Sequence, residues 1–137
     1  MKVFVADDSK IVVERLVDLL RDVPGVQFAG QAGDVPEVLR SIQQVHPDVV
    51  ILDLQMPGGS GLDVLRVIRR DHPRLYVLIC TNHPYPQYRD ECLSAGANFF
   101  LDKTAEFAKI PAILCKLIEN EAKASRSPAE RNALGLS

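Results

Sequence analysis

Six polar or charged side chains lie at the ends of four short apolar runs of the sequence. They are Asp7, Asp8, Asp53, Thr81, Asn82 and Lys103. In an open parallel sheet the carboxyl ends of the strands meet at one edge, and ligands bind beyond that edge. If these runs are strands of one such sheet, three carboxylates, a hydroxyl group, an amide and an amine come together there.

Three clustered carboxylates repel one another and are costly to remove from water. A divalent cation resolves this conflict, and Mg²⁺ (or Mn²⁺) prefers oxygen ligands. Asp8 and Asp53 could ligate such an ion directly, while Asp7 could do so directly or through water. The backbone carbonyl of Gln55 could add a further oxygen. The cluster therefore predicts a magnesium or manganese site.

The same cluster suits phosphoryl transfer. A carboxylate can act as the nucleophile and form an aspartyl-phosphate, while a metal ion and Lys103 neutralise charge on the transferring group. Thr81 could hydrogen-bond the added phosphoryl oxygens. Each residue alone is more typical of a turn, a helix cap or a solvated charge. Their joint placement at four strand ends favours a functional site.

The elements that position these residues alternate between apolar runs and helical patterns. The runs that predict strands are Val3–Ala6, Val26–Ala32, Asp48–Asp53, Leu75–Cys80 and Asn98–Leu101. The helical patterns are residues 10–22, Val35 to Ile42, Ser60 to Ile68, residues 87–95 and Phe107 to Ile118. Five strand–helix repeats favour an α/β protein with a flavodoxin-like, doubly wound five-stranded parallel sheet in the order 2-1-3-4-5.

Helix boundaries can be predicted from capping residues. Ser9, Asp34 and Ser60 are expected to cap the first three helices, and Pro24-Gly25 ends the first. Pro111 is expected near the first turn of the last helix. One apolar side of the first helix is predicted to carry Ile11, Val12, Leu16, Leu19 and Leu20. We expect one domain over residues 1–122 and a tail or helix extension over residues 123–137.

Composition limits the class of protein. The chain has 137 residues, enough for one domain, and its 47% hydrophobic and 25% charged residues indicate a folded protein. A formal net charge of −2 supplies no global basic surface for nucleic acid. No secretory signal or membrane helix is evident, so we expect a cytoplasmic protein. The three cysteines, Cys80, Cys92 and Cys115, have no disulfide or zinc spacing and are expected to be reduced.

The sequence resembles the receiver domain of bacterial response regulators. The segments that carry the resemblance are residues 5–9 (VADDS), residues 50–61 (VILDLQMPGGSG), the strand ending at Thr81, residues 95–97 (AGA), Phe100 and Lys103. They occur in the family's order and with its spacing, and they cover about residues 1–120. A strand-end Asp followed by Leu-Gln-Met-Pro and a Gly-rich turn is a specific signal.

The resemblance implies a role for each residue of the acidic cluster. Asp53 would accept a phosphoryl group from a histidine kinase or a histidine phosphotransfer protein. Asp7, Asp8, Asp53 and the backbone of Gln55 would hold Mg²⁺, and Lys103 would pair with the phosphoaspartate. The chain would thus be a switch of a two-component system or phosphorelay. It would not be an enzyme beyond its own phosphorylation and dephosphorylation.

The resemblance also implies how the signal leaves the domain. Thr81 would move toward the phosphoryl group, and Phe100 would change its burial in step. The altered surface, formed by the fourth helix, fifth strand and fifth helix, would bind a downstream protein or a second copy of the chain. We expect a stand-alone receiver without direct DNA or membrane binding.

Two departures from the family pattern lie beside the predicted site. Thr104 follows Lys103, where many relatives have Pro. Asn82 follows Thr81, where a small residue is usual, and His83 comes next; together with Gln55 these two residues could tune the phosphoryl lifetime. His83 could position a water or gate access, or it could be a solvated loop residue. The segment from Tyr85 to Tyr88, with Arg89, could be a partner surface or could cover the core.

Three other classes of protein compete with this interpretation. A degenerate receiver would bind partners constitutively, although the complete set of site residues argues against it. A metal-dependent phosphatase with an Asp nucleophile would need an acid where Gln55 stands. A flavodoxin would bind FMN at the first loop, where Asp7 and Asp8 would repel its phosphate.

Overall fold

The computed structural model describes residues 1–124 and contains one five-stranded parallel sheet. Its strands are β1 (Lys2–Ala6), β2 (Gln27–Ala32), β3 (Val49–Leu52), β4 (Tyr76–Thr81) and β5 (Phe99–Asp102). They are ordered β2-β1-β3-β4-β5, and every neighbouring pair is parallel. The predicted fold class and strand order are therefore confirmed. Of the predicted tail, residues 125–137 lie outside the described residues.

Five α-helices connect or follow the strands. They are α1 (Lys10–Arg21), α2 (Val35–Val45), α3 (Gly61–Asp71), α4 (Pro86–Ser94) and α5 (Ile110–Ala124), the last preceded by a short 3₁₀ helix at Phe107–Lys109. The predicted caps are confirmed, since Ser9, Asp34 and Ser60 each accept a hydrogen bond from a backbone N–H of the first turn. Pro111 lies in the first turn of α5, as predicted.

The helices cover both faces of the sheet. On the face beneath α2, α3 and α4, the buried strand residues are Phe4, Ala6, Ala32, Val50, Leu52, Val77, Ile79 and Phe100. On the face beneath α1 and α5 they are Val3, Val5, Val49, Ile51, Leu78, Cys80 and Leu101. Successive residues of a strand point to opposite faces, so burial on both sides requires the continuous apolar runs seen in the sequence.

The predicted apolar side of α1 is partly wrong. Val13, Leu16 and Leu20 are buried against the sheet, whereas Ile11 is 71% exposed. A helix turns by about 100° per residue, so a stripe that includes residues 13, 16 and 20 leaves position 11 on the opposite side. An apolar side chain at position 11 therefore does not mark the buried side of α1.

The cysteines agree with the sequence prediction. All three thiols are free; Cys80 and Cys92 are buried, and Cys115 is exposed. Burial among apolar side chains raises the pKa of the Cys80 thiol to about 12. Among the helices of residues 1–124, none has both the length and the apolar character needed to cross a bilayer.

Candidate functional site

Three strands deliver the central residues of the site to one edge of the sheet. The strand pairing continues one residue beyond each strand: Asp7 N donates to Ala32 O (3.0 Å), and Asp53 N donates to Ala6 O (2.9 Å). Lys103 N likewise donates to Thr81 O (2.8 Å). These backbone bonds fix where each side chain leaves the sheet, because a residue next to a hydrogen-bonded strand end has little rotational freedom.

Lys103 joins two of the carboxylates. Its Nζ lies 2.6 Å from Asp7 Oδ2 and 3.3 Å from Asp53 Oδ2. All three side chains are buried. Within this group a single ammonium therefore lies between two carboxylates that water cannot easily screen.

Burial and charge act in opposite directions on this group. Burial raises the pKa of Asp53, and this effect outweighs the attraction of Lys103, which lowers it; nearby Asp7 raises it further. Burial disfavours the charged form of Lys103, but the hydrogen bonds and charges of Asp7 and Asp53 together outweigh it and raise the Lys103 pKa. The lysine therefore stays protonated at neutral pH, while the burial of Asp53 makes its carboxylate more basic than an exposed one.

The other carboxylate oxygens accept hydrogen bonds from the backbone. Asp7 Oδ1 accepts from Ser9 N at 2.8 Å, and Asp53 Oδ1 accepts from Gln55 N at 3.3 Å. These bonds orient both carboxyl groups toward Lys103 and the adjoining cleft. Asp8 is exposed and extends the acidic surface into solvent.

The acidic group fits a hard divalent cation. One carboxylate oxygen from each of Asp7, Asp8 and Asp53 can be chosen so that all three lie within 4.8 Å of one another. Three carboxylates against one lysine leave an excess of negative charge, and all the ligand atoms are oxygens, as Mg²⁺ and Mn²⁺ prefer. The side chain of Gln55 is exposed beside this group.

The site opens into a cleft of about 420 Å³. Its walls are formed by Asp7, Asp8, Ser9, Val12, Asp53, Gln55, Met56, Pro57, Asn82, His83 and Lys103. Met56 and Pro57 belong to the motif of residues 50–61, whereas Val12 could not be predicted as a wall residue, because an apolar side chain carries no chemical signal. Asn82 and His83 do lie on the cleft, as their position in the sequence suggested.

The start of α3 packs closely against the backbone of Asp53 and Leu54. Gly61 N donates to Leu54 O at 2.8 Å, and a Cβ atom on Gly61 would overlap the backbone carbonyl oxygen of Asp53. The first residue of α3 therefore has to be glycine for the helix to pack this closely behind the strand-end carboxylate.

Thr81 and Phe100 occupy the same face of the sheet. Thr81 is fully buried, and its Oγ1 accepts a hydrogen bond from His83 N at 3.0 Å. Phe100 is also buried and pairs in register with Ile79, two residues before Thr81. The two predicted switch residues thus lie on adjacent strands beneath α4.

The aromatic residues after β4 form an exposed row. The ring centroids of His83 and Tyr85 are 6.1 Å apart, and those of Tyr85 and Tyr88 are 5.7 Å apart. Tyr85 is 51% exposed and Tyr88 is 39% exposed. Both rings therefore present surface to solvent, while Cys92 is the buried residue of α4.

Comparison with known proteins agrees with the fold. The family model described as the response regulator receiver domain matches residues 3–114. The response regulator GacA of Pseudomonas syringae pv. syringae is 35% identical over 113 residues, which cover 80% of this chain and 51% of that protein. The chain thus spans about half the length of the curated relatives it matches.

Solved structures resemble the chain over nearly its whole described length. A two-component response regulator of the LuxR family from Aurantimonas sp. SI85-9A1 has a TM-score of 0.76 and 30% identity, covering 93% of this chain and 90% of that one. The isolated receiver domain of RcsB from Salmonella enterica serovar Typhimurium, solved with the phosphomimetic BeF₃⁻, has a TM-score of 0.82 and 25% identity. That match covers 87% of this chain and 88% of the RcsB chain.

Proposed function

Because this chain belongs to the response regulator receiver domain family, we propose that Asp53 accepts a phosphoryl group from a histidine kinase or a histidine phosphotransfer protein. The observation that carries the proposal is the position of Lys103, whose Nζ lies within 3.3 Å of a carboxylate oxygen of both Asp7 and Asp53. A cation held between two buried carboxylates at the mouth of a cleft suits the stabilisation of a transferring anionic group.

In the proposed reaction a carboxylate oxygen of Asp53 forms a bond to phosphorus as the bond from phosphorus to the donor atom breaks. The donor leaves with the electron pair of that bond, and the product is an acyl phosphate on Asp53. Burial raises the pKa of Asp53, which favours it as a nucleophile, and Lys103 neutralises charge as it develops on the phosphoryl oxygens.

Asp7, Asp8, Asp53 and the backbone carbonyl of Gln55 would hold the Mg²⁺ or Mn²⁺ ion. The proposal is supported by the close grouping of the three carboxylates and by their excess charge over Lys103. When bound, the metal supplies positive charge to the phosphoryl oxygens and relieves repulsion among the acids. The chain would catalyse only the phosphorylation and dephosphorylation of its own aspartate.

The phosphorylated domain would signal through Thr81 and Phe100. To reach a phosphoryl group on Asp53, the Thr81 side chain would exchange its bond from His83 N for one to the phosphoryl oxygens. Phe100, buried on the same face, would change its packing in response. The RcsB receiver domain, which is similar to this chain, was solved with the phosphomimetic BeF₃⁻, and this likeness supports a phosphorylated state of this chain.

The proposed output is a protein–protein contact through α4, β5 and α5, with a downstream protein or a second copy of this chain. In this face the Arg89 guanidinium of α4 donates a hydrogen bond to the carbonyl oxygen of Phe100 in β5 at 3.4 Å. A movement of β5 would therefore be transmitted to α4 through this bond. The exposed Tyr85, at the N-cap of α4, and Tyr88, in its first turn, would enlarge the contact surface. We expect no direct contact with DNA from residues 1–122.

The test is to incubate the chain with Mg²⁺ and acetyl phosphate and to record its intact mass. We expect the mass to increase by one phosphoryl group, and we expect no increase for Asp53→Asn or in EDTA. Asp90→Asn, which changes an exposed carboxylate on α4, is the matched control and should behave as the unmodified chain. The same assay is repeated with phosphohistidine-bearing phosphotransfer protein as donor.

No mass gain from either donor, together with no Mg²⁺ binding by calorimetry, would contradict the proposal. That outcome would favour the degenerate receiver, which binds its partners without phosphorylation. A mass gain that persists in Asp53→Asn would place the phosphoryl group on another residue and would also contradict it.

A further inference from the structure

The turn that carries Lys103 is closed by the side chain of Glu106. Glu106 Oε1 accepts a hydrogen bond from Asp102 N at 3.1 Å, and Glu106 N donates to Asp102 O at 2.9 Å. Glu106 therefore binds both backbone polar groups of the last residue of β5. The segment from Asp102 to Glu106, which includes Lys103, therefore forms a closed loop.

Two further contacts strengthen this loop. Asp102 Oδ1 accepts from Thr104 N at 2.8 Å, which fixes the residue that follows Lys103. Lys109 Nζ lies 3.0 Å from Glu106 Oε2 and anchors the carboxylate from the 3₁₀ helix. The hydrogen bond from Lys109 and the one from the Asp102 backbone lower the pKa of Glu106, so its carboxylate is charged at neutral pH. Both neighbours of Lys103 in the chain are thus restrained.

We propose that Glu106 is a positioning residue for Lys103, holding the β5–α5 turn so that the ammonium lies between Asp7 and Asp53. This inference rests on the proposed function, because it assigns Glu106 a part in the phosphoryl transfer to Asp53. Glu106 touches neither the carboxylates nor a phosphoryl group, and it acts only through the backbone of the turn.

The position of β5 explains why the turn needs a restraint. β5 is an edge strand with β4 as its one neighbour in the sheet, so Asp102 has a partner strand on one side only. Lys103 keeps a single backbone bond to that neighbour, from its N to Thr81 O at 2.8 Å. Beyond this bond the side chain must reach two carboxylates at once, and a misplacement of about 1 Å at a catalytic group can cost about 100-fold in rate.

Two substitutions separate the hydrogen bond to Asp102 from the charge of the side chain. Glu106→Gln keeps an oxygen that can accept from Asp102 N but loses the ion pair with Lys109, whereas Glu106→Ala loses both. Glu119→Ala, which removes an exposed carboxylate of α5, is the control for a general loss of charge. Each variant is phosphorylated with acetyl phosphate at saturating Mg²⁺, and the rate is followed by intact mass.

We expect Glu106→Ala to be phosphorylated about tenfold more slowly than the unmodified chain, while Glu106→Gln and Glu119→Ala stay within about twofold. Hydrogen exchange at the amides of Lys103 and Thr104 should accelerate in Glu106→Ala and change little in Glu106→Gln. The thermal unfolding midpoint of each variant is measured alongside, so that only the folded fraction enters the rate.

Glu106→Ala phosphorylated at the rate of the unmodified chain would overturn the inference and leave the proposed function intact. If Glu106→Gln and Glu106→Ala slow the reaction equally, the inference is also overturned, because the hydrogen bond to Asp102 would then be irrelevant to the rate. If the unmodified chain accepts no phosphoryl group, the proposed function fails, and the positioning role fails with it. Amide exchange still reports in that case whether Glu106 holds the turn.

Discussion

Lys103 makes its shorter contact with Asp7, at 2.6 Å, and its longer one with Asp53, at 3.3 Å. The proposed phosphoacceptor is thus the less tightly paired of the two buried carboxylates. A longer contact leaves Asp53 free to take on a phosphoryl group without first losing a strong ion pair. Asp7 meanwhile fixes the position of the Lys103 ammonium. It therefore positions the lysine in addition to its proposed role as a metal ligand.

Replacing Lys103 by methionine should destabilise the metal-free chain. Lys103→Met keeps the length of the side chain but leaves Asp7 and Asp53 buried without their common cation. Removing one partner of a buried ion pair typically costs about 3 kcal/mol, so we expect a loss of that order in urea unfolding at pH 7 with EDTA. Mg²⁺ should restore more stability to the variant than to the unmodified chain, since it replaces the missing charge.

Lys116→Met, at an exposed position of α5, is the matched control and should change the free energy of unfolding by less than about 0.5 kcal/mol. Equal stability of Lys103→Met and the unmodified chain in EDTA would contradict the buried ion pairs. So would an identical response of the two proteins to Mg²⁺.

Asp53→Asn should stabilise the metal-free chain at neutral pH. Burial raises the pKa of Asp53 above its ordinary value of 3.8, so folding favours the protonated carboxyl. The contribution of Asp53 to stability is complete below that ordinary value and is lost as the pH rises through the raised pKa. Removing the carboxylate relieves this cost at pH 7, and Lys103 still retains Asp7 as a partner.

The check on this prediction is a series of thermal unfolding midpoints in EDTA from pH 7 downward. The advantage of Asp53→Asn over the unmodified chain should shrink as the pH falls toward 3.8. Asp90→Asn, at an exposed position of α4, is the matched control and is measured over the same pH series. A variant that is less stable than the unmodified chain at pH 7 would contradict the direction assigned to the Asp53 pKa.

Much of the fold could be predicted from the sequence, because buried parallel strands leave a distinct pattern. The runs ending near Ala6, Leu52 and Thr81 are continuously apolar, and the polar residues that follow them must therefore share one edge of a parallel sheet. The capping residues Ser9 and Ser60 could be predicted equally well, since a side-chain oxygen at a helix start accepts a hydrogen bond from a free backbone N–H of the first turn.

The parts that sequence reasoning missed depend on contacts between distant segments. Nothing in the sequence around Lys103 indicates that its shorter contact is with Asp7, because that distance depends on how β1 and β5 are arranged in the sheet. Glu106 resembles any surface carboxylate until its bond to Asp102 is seen. Ile11 has an apolar side chain yet lies in solvent, and only the packing of α1 reveals this.

Gly61→Ala should weaken both the fold and the site. A methyl group there would overlap the carbonyl oxygen of Asp53 and lie 2.8 Å from Leu54 Cα, so α3 or the end of β3 has to move. Overpacking of this kind typically costs about 1–3 kcal/mol, and we expect slower phosphorylation of the folded fraction because Asp53 is displaced. Urea unfolding and the acetyl phosphate assay measure the two effects.

Gly33→Ala is the comparison for this prediction, since its added methyl group would lie 3.2 Å from the nearest atom, Asp8 Cα. We expect a smaller loss of stability than for Gly61→Ala. Equal stability of Gly61→Ala and the unmodified chain would show that α3 can withdraw from Asp53 without cost, contrary to the close packing described above.

His83→Ala should shorten the lifetime of the phosphorylated chain. The His83 side chain is half-buried on the wall of the cleft, and its backbone N–H binds the Thr81 hydroxyl oxygen. Removing the ring widens the path for water to Asp53, and we expect dephosphorylation about threefold faster, a barrier change of about 0.7 kcal/mol. His83→Phe retains the bulk and should preserve the half-life, whereas His72→Ala, remote from this cleft, should have no effect.

If His83→Ala leaves the half-life unchanged, the ring does not gate the cleft. If His83→Phe and His83→Ala lengthen it alike, the imidazole itself promotes hydrolysis.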